Sequence, residues 1–165
     1  MPRRFVLATV LCLSLIAPAF AAERWSGDGI SWQTPEGWTQ KKESTEFRFA
    51  QIDLGDNLLL VVSRFPGDVG GNLANVNRWR GQLQLPPIKA DELDKATKKV
   101  QAGDVTALLT DFTSEAGDQR MLGAIVPDEK GGRTWFFKVT GAAKAVGGQA
   151  EKFQKFVESV KLEPK

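Results

Sequence analysis

Turn signals punctuate this chain at short intervals. Gly55-Asp56-Asn57, Gly103-Asp104, Glu115–Asp118 and Asp128–Gly132 each separate two runs rich in aliphatic, aromatic and β-branched residues. Runs joined so tightly can pair only as antiparallel neighbours, because a parallel return needs a crossover of a dozen or more residues. The series therefore predicts an antiparallel sheet.

The runs themselves differ. Ile30-Ser31-Trp32 reads as a short strand, Thr34-Pro35-Glu36-Gly37 as a turn, and Trp38 as the start of another extended piece. Glu23 to Gly29 is polar apart from Trp25 and reads as a lead-in. Residues 46–54 alternate, with Phe47, Phe49 and Gln51 on one face and Arg48, Ala50 and Ile52 on the other. Residues 58–65 are apolar without a break through Val62, as expected of a central strand covered on both faces. Further strands are expected at 98–102, 105–113, 120–126 and 134–140.

Helical spacing enters at three places. Asn72 is placed to cap a helix over 73–83, which Pro86-Pro87 ends. A short helix over 90–96 carries Asp91, Glu92 and Asp94 in its first turn, where the macrodipole favours acids. A closing helix over 148–160 places Phe153, Phe156, Val157 and Val160 at i, i+3, i+4 and i+7. The expected fold is α+β, an antiparallel sheet sandwiched by helices.

The N-terminus has the three parts of a secretory leader. Arg3 and Arg4 precede an apolar run from Phe5 to Ile16, and Ala19-Phe20-Ala21 offers a small-x-small cleavage site. Cleavage is expected after Ala21, with Ala22 the neighbouring alternative. Residues 1–21 are then a signal peptide and residues 22–165 a single domain. Its product is expected to be soluble and exported, either periplasmic or secreted, with no stable membrane insertion.

Losing Arg3 and Arg4 lowers 22 Lys and Arg to 20, equal to the 20 Asp and Glu. A neutral domain lacks the basic field that nonspecific nucleic-acid binding needs. The chain has no His, and its one Cys, Cys12, lies in the leader. That excludes Ser-His-Asp and Cys-His catalysis, thiolate zinc sites and a disulfide scaffold. No catalytic motif, metal-ligand spacing or cofactor motif is present, so the expectation is not an enzyme and no cofactor.

The block Ile30-Ser31-Trp32-Gln33-Thr34-Pro35-Glu36-Gly37-Trp38 and the closing helix with Val160-Lys161-Leu162 resemble the opening and end of the PsbP-like superfamily. That superfamily includes PsbP, the envelope protein DcrB and Ran-binding import relatives. The resemblance implies an antiparallel sheet between helices. It also implies an accessory or binding role, assisting an envelope or membrane complex. It transfers no functional residue, since no position here matches one.

The segment most in need of explanation is the Gly-rich loop 66–71 and the helix after it. At 100° per residue Leu73, Val76, Trp79 and Leu83 share one arc, Arg80 falls inside it and Asn77 lies at its edge. Asn75, Arg78 and Gln82 fall on the polar side. A guanidinium on an apolar face must be paired or must reach out to water. Arg80 is thus either internally ion-paired, with Asn77 bonding a loop backbone, or lines a pocket for an anion together with Asn77 and Arg64. Arg suits the latter because its planar fork grips carboxylate and phosphate. Arg78 and Trp79 are also residue types of protein contact surfaces, although Trp79 equally suits the core.

The candidate binding residues are therefore Arg64, Asn72, Asn75, Asn77, Arg78, Trp79, Arg80 and Gln82. The leading expectation is a non-enzymatic partner-binding protein using the 72–82 helix. A small-anion binder centred on Arg80 is the alternative. A carboxylate-dependent hydrolase, using Asp53 with Asp56 or Glu36 with Glu43 or Glu46, is the remaining one. Trp32 and Trp38 flank a turn and offer a glycan platform if exposed, or core packing if not.

Overall fold

The structure, a computed structural model, describes residues 23–41 and 48–163. The expected leader, together with Glu43, Glu46 and Phe47, lies outside the described residues. Among the described residues no helix is long and apolar enough to cross a membrane.

Among the described residues, ten strands form two antiparallel sheets. The larger holds β3 (Thr39–Lys41), β4 (Arg48–Gly55), β5 (Leu58–Pro66), β6 (Lys98–Ala102), β7 (Val105–Thr113), β8 (Gln119–Asp128) and β9 (Arg133–Ala142). Its spatial order is β3-β4-β5-β9-β8-β7-β6. The turns at 55–57, 103–104, 115–118 and 128–132 each join adjacent strands, so the hairpin series builds most of this sheet. The chain leaves that pattern once, after β5, where α1 (Gly71–Gln82) and α2 (Leu93–Ala96) carry it to the far edge.

The smaller sheet joins β1 (Arg24–Gly27), β2 (Ile30–Gln33) and β10 (Lys161–Leu162). The polar lead-in is therefore a strand. Its hydrogen bonds come from the register Trp25↔Trp32, and its one apolar side chain stacks on Trp32 at 4.1 Å. Leu162 pairs with Ile30 and Lys161 with Ser31. The two blocks that carry the PsbP-like resemblance are thus hydrogen-bonded to each other.

Two cores lie on opposite faces of the large sheet. On one face α4 (Ala150–Glu158) buries Phe153, Phe156 and Val157, followed by Val160, against Trp32, Leu122, Trp135 and Phe137. The small sheet covers the same face. Full burial of each such aromatic or aliphatic side chain is worth about 1.5–3 kcal/mol. Trp32 is fully buried and Trp38 6 % exposed, which removes the glycan platform. Short α3 (Ala143–Gly147), which precedes α4, adds Val146 to this core.

On the other face α1 buries Val76 and Trp79, with Leu83 just beyond its end, against Leu108, Phe112, Met121, Ile125 and Phe136. Strand β5 serves both cores. Leu58, Leu60 and Val62 are buried towards α4, while Val61, Ser63 and Phe65 on the α1 side are only half-buried. The expectation of a strand covered on both faces is met on one face, and the other is left partly open.

Candidate functional site

Helix α1 begins earlier than the sequence indicates. Gly70, with φ 86°, occupies the N-cap and makes no side-chain capping bond. Asn72 lies in the first turn and is exposed, so it is not the cap. Asn75 does the work of ordering this end. It is 2 % exposed, and its Nδ2 donates to the carbonyls of Gly71 (2.8 Å) and Val69 (3.3 Å). The expectation that Asn75 faces water is corrected. The loop of residues 66–70 folds back over the helix and covers it.

Asn77 grips a backbone. Its Nδ2 donates to the Ile88 carbonyl at 2.9 Å, and its Oδ1 accepts from the Ile88 N–H at 2.8 Å. This two-way clasp ties the Pro86-Pro87 segment to the helix. Arg80 does the same from the next turn: its Nε donates to the Pro86 carbonyl at 2.8 Å, and its guanidinium lies 5.3 Å from the Phe112 ring centroid. A cation over an aromatic face at that distance is held by the ring quadrupole. Among the described residues Arg80 makes no ion pair, and it does not line the cleft that opens between α1 and β5. Asn77 and Arg80 both hold the loop after the helix.

Arg64 is on the other side of the sheet. It follows Leu58, Leu60 and Val62 in strand parity, so it points away from α1. There it pairs with Asp28 and lies 5.0 Å from the Phe49 ring centroid. Asp28 also accepts from Arg133, whose Nε donates to Asp128 at 2.8 Å. Burial opposes the charge on Asp128, but the Arg133 guanidinium and the Gly131 N–H hold its carboxyl below the usual carboxylate range. This network of two acids and two bases joins the small sheet to the β8–β9 turn. It is a structural clip, and Arg64 belongs to it.

The concave surface beside α1 is made by different residues. A cleft of about 460 Å³ opens between α1 and the half-buried face of β5 and β9. Three cations line it: Arg78 from α1, Arg48 from β4 and Lys138 from β9. No described lining residue is acidic. Its floor is apolar, from Val61, Phe65, Val69, Trp79 and Phe136. Trp79 is 6 % exposed, so it is packed in the floor rather than presented as a contact.

The partners of two of these cations are neutral. Arg78 Nη1 donates to Asn75 Oδ1. Lys138 Nζ donates to Gln82 Oε1 at 2.8 Å. Burial, with Arg48 nearby, pulls the Lys138 pKa below the ordinary lysine value. Among the described residues, Arg78 and Lys138 thus line the cleft with no acid bonded to either.

Sequence reasoning selected Asn75, Arg78, Trp79 and Gln82, which the fold brings to this cleft, but missed Arg48 and Lys138. Arg48 was assigned to the face of Ala50 and Ile52. A β-bulge reverses it: Arg48 pairs with Ser63 while Ala50 pairs with Val62, so two steps on β4 match one on β5. Arg48 therefore shares the face of Ser63 and Lys138. A bulge has no alternation signal that would locate it in advance. Lys138 did carry a signal, as a lone cation within the aromatic strand 134–140.

Of the carboxylates considered for catalysis, Asp53 is committed to Lys41 (3.0 Å) and to the Gly55 N–H (3.0 Å). Glu43 and Glu46 lie outside the described residues.

No family model and no curated protein sequence matches the chain. Solved structures do. Cyanobacterial PsbP (CyanoP) from Synechocystis superposes with a TM-score of 0.57 at 14% identity, covering 94% of this chain and 98% of that one. LpqN of Mycobacterium tuberculosis, described as involved in cell envelope biogenesis, gives 0.50 at 16% identity over 82% and 83%. A Bacteroides thetaiotaomicron protein gives 0.53 at 14% identity over 88% of this chain, which spans only 50% of that one. The class defined by the architecture is an antiparallel α+β sandwich. Its particular form is the PsbP-like fold.

Proposed function

We propose that this chain is an exported, non-enzymatic accessory or binding protein of the cell envelope, and that it works by holding an anionic group in the cleft between α1 and β5–β9. One observation carries the reading: Arg78 and Lys138 converge on one cleft, each bonded only to a neutral amide among the described residues. A half-buried ammonium without an acid costs stability, and an incoming anion removes that cost. This replaces the site centred on Arg80, whose Nε bonds the Pro86 carbonyl and whose guanidinium lies against the Phe112 ring. It also replaces a contact surface built on an exposed Trp79. The fold resemblance to LpqN and PsbP supports an accessory role in kind.

The test is a titration of the purified protein, expressed from its full-length reading frame, with acetate and inorganic phosphate. Backbone and side-chain NMR shifts would be followed. Saturable shifts at Asn75, Trp79 and Gln82, lost in an Arg78→Gln/Lys138→Gln double variant, are expected. Shifts that are linear in salt, or unchanged in the variant, defeat the reading. Intact mass checks export: removal of residues 1–21 is expected, and a retained leader contradicts it.

A further inference from the structure

The cleft is more than a charged patch, because its two ends differ. The register Val61↔Lys138, Ser63↔Phe136 and Phe65↔Thr134 lays out its floor in order along β5 and β9. Lys138 and Gln82 stand at one end, joined by their hydrogen bond. Phe65 and Val69 stand at the other, beside the loop that Asn75 holds. Between them lies a continuous aromatic surface, with Phe136 5.9 Å from Phe65 and 6.0 Å from Trp79 between ring centroids.

Val69 adds a second, independent observation. Its φ is 55°, in the left-handed region where a β-branched residue is a genuine outlier. Gly or Asn would sit there without strain. The strain nevertheless supports an isopropyl group that lines the cleft and is left half-buried. Strained residues of this kind cluster at ligand clamps.

Resting on the anion-binding reading above, we infer that the ligand is an amphiphilic anion: a carboxylate or phosphate head seated at Lys138, with Arg78, between the two ends of the cleft, drawn off Asn75 to meet it, and an apolar body lying over Trp79 and Phe136 towards Phe65 and Val69. A purely ionic ligand would leave the half-buried Val61, Phe65 and Val69 wet. A purely apolar one would leave two cations desolvated beside it, which is costly. The cleft volume of about 460 Å³ falls within the range of small-ligand sites. The apolar floor with a few placed polar groups is the usual composition of such sites.

Calorimetric titration separates this from simple anion binding. The probes are decanoate and decyl phosphate below their micellar thresholds, decanol as the headless control, and acetate and phosphate as the tailless ones. Vesicles of anionic lipid form the last arm. Decanoate or decyl phosphate is expected to bind one site at least tenfold tighter than either kind of control. The preferred head group then tells carboxylate from phosphate. Arg78→Gln/Lys138→Gln should weaken binding at least tenfold. Val69→Asn relieves the backbone and so should fold, yet should weaken decanoate about fivefold. Lys98→Gln, on the α4 side, should change nothing.

If acetate or phosphate binds and the tail adds nothing, the amphiphile inference fails while the anion site stands. If no anion binds, both fail. Binding to vesicles without binding to the free amphiphiles would mean a membrane-surface contact and would overturn the cleft assignment.

Discussion

Gly123 of β8 lies directly beneath the indole of Trp79. A Cβ built there would sit 2.8 Å from Trp79 Cε3 and 2.6 Å from Thr110 Oγ1. No side chain fits in that space, so the glycine is what lets α1 seat its largest residue on the sheet. Since Trp79 is also the floor of the cleft, one strand glycine sets the depth of the binding site.

Gly123→Ala is therefore expected to push α1 off the sheet and destabilise the protein by about 1–3 kcal/mol, the usual range for overpacking. Urea unfolding measures it. Trp79→Phe in the same chain should recover part of the loss. Strict additivity of the two changes would show that they do not touch.

Asn77→Ala removes both halves of the Ile88 clasp and leaves that N–H and carbonyl to find water. A loss of about 1–3 kcal/mol is expected. Hydrogen exchange should rise at residues 84–89 and stay unchanged in β7–β9. A uniform rise would mean global destabilisation instead.

Asp128 connects folding to acid. Its folded pKa lies below the unfolded 3.8, so it stabilises the protein above that pH. The contribution is lost as the pH falls from 3.8 through the lower folded value. Asp128→Ala, which leaves the nearly buried Arg133 with Asp28 alone, should cost about 3 kcal/mol at neutral pH. The variant's stability should fall less steeply below pH 4 than that of the parent. Equal acid slopes in the two proteins would refute the assignment.

Lys138 has the opposite sign. Its folded pKa lies below the unfolded 10.5, so the unfolded state holds the proton more tightly. Its charge costs stability at neutral pH, and stability recovers as the pH climbs towards 10.5. Lys138→Met should raise Tm at pH 7 and remove that alkaline gain, while losing anion binding. A Tm that falls would show that the ammonium is structural. This is the pattern of a group retained for binding at the expense of stability.

Much of the architecture was legible because it rests on local chemistry. The Gly-Asp and Asp-Asn turns specified antiparallel neighbours, and the stripe Phe153, Phe156, Val157, Val160 specified which side of α4 packs. The site was legible only in part. Periodicity correctly put Val76, Trp79 and Leu83 inward but also placed Arg80 among them and Asn75 outside. What decided those two residues was the course of the loops at either end of the helix. Helical spacing has no information about that.

The sequence by itself determined the antiparallel hairpins, the α+β layering, and the absence of His from the whole chain. These follow from residue type and short-range spacing. The tertiary structure alone decided where the cleft lies. It needed a bulge to turn Arg48 over, a crossover to bring α1 above β9, and a glycine three strands away from β4 to admit Trp79. Each is a relation between segments far apart in the chain. Such relations are set when surfaces pack together, and no single segment encodes them.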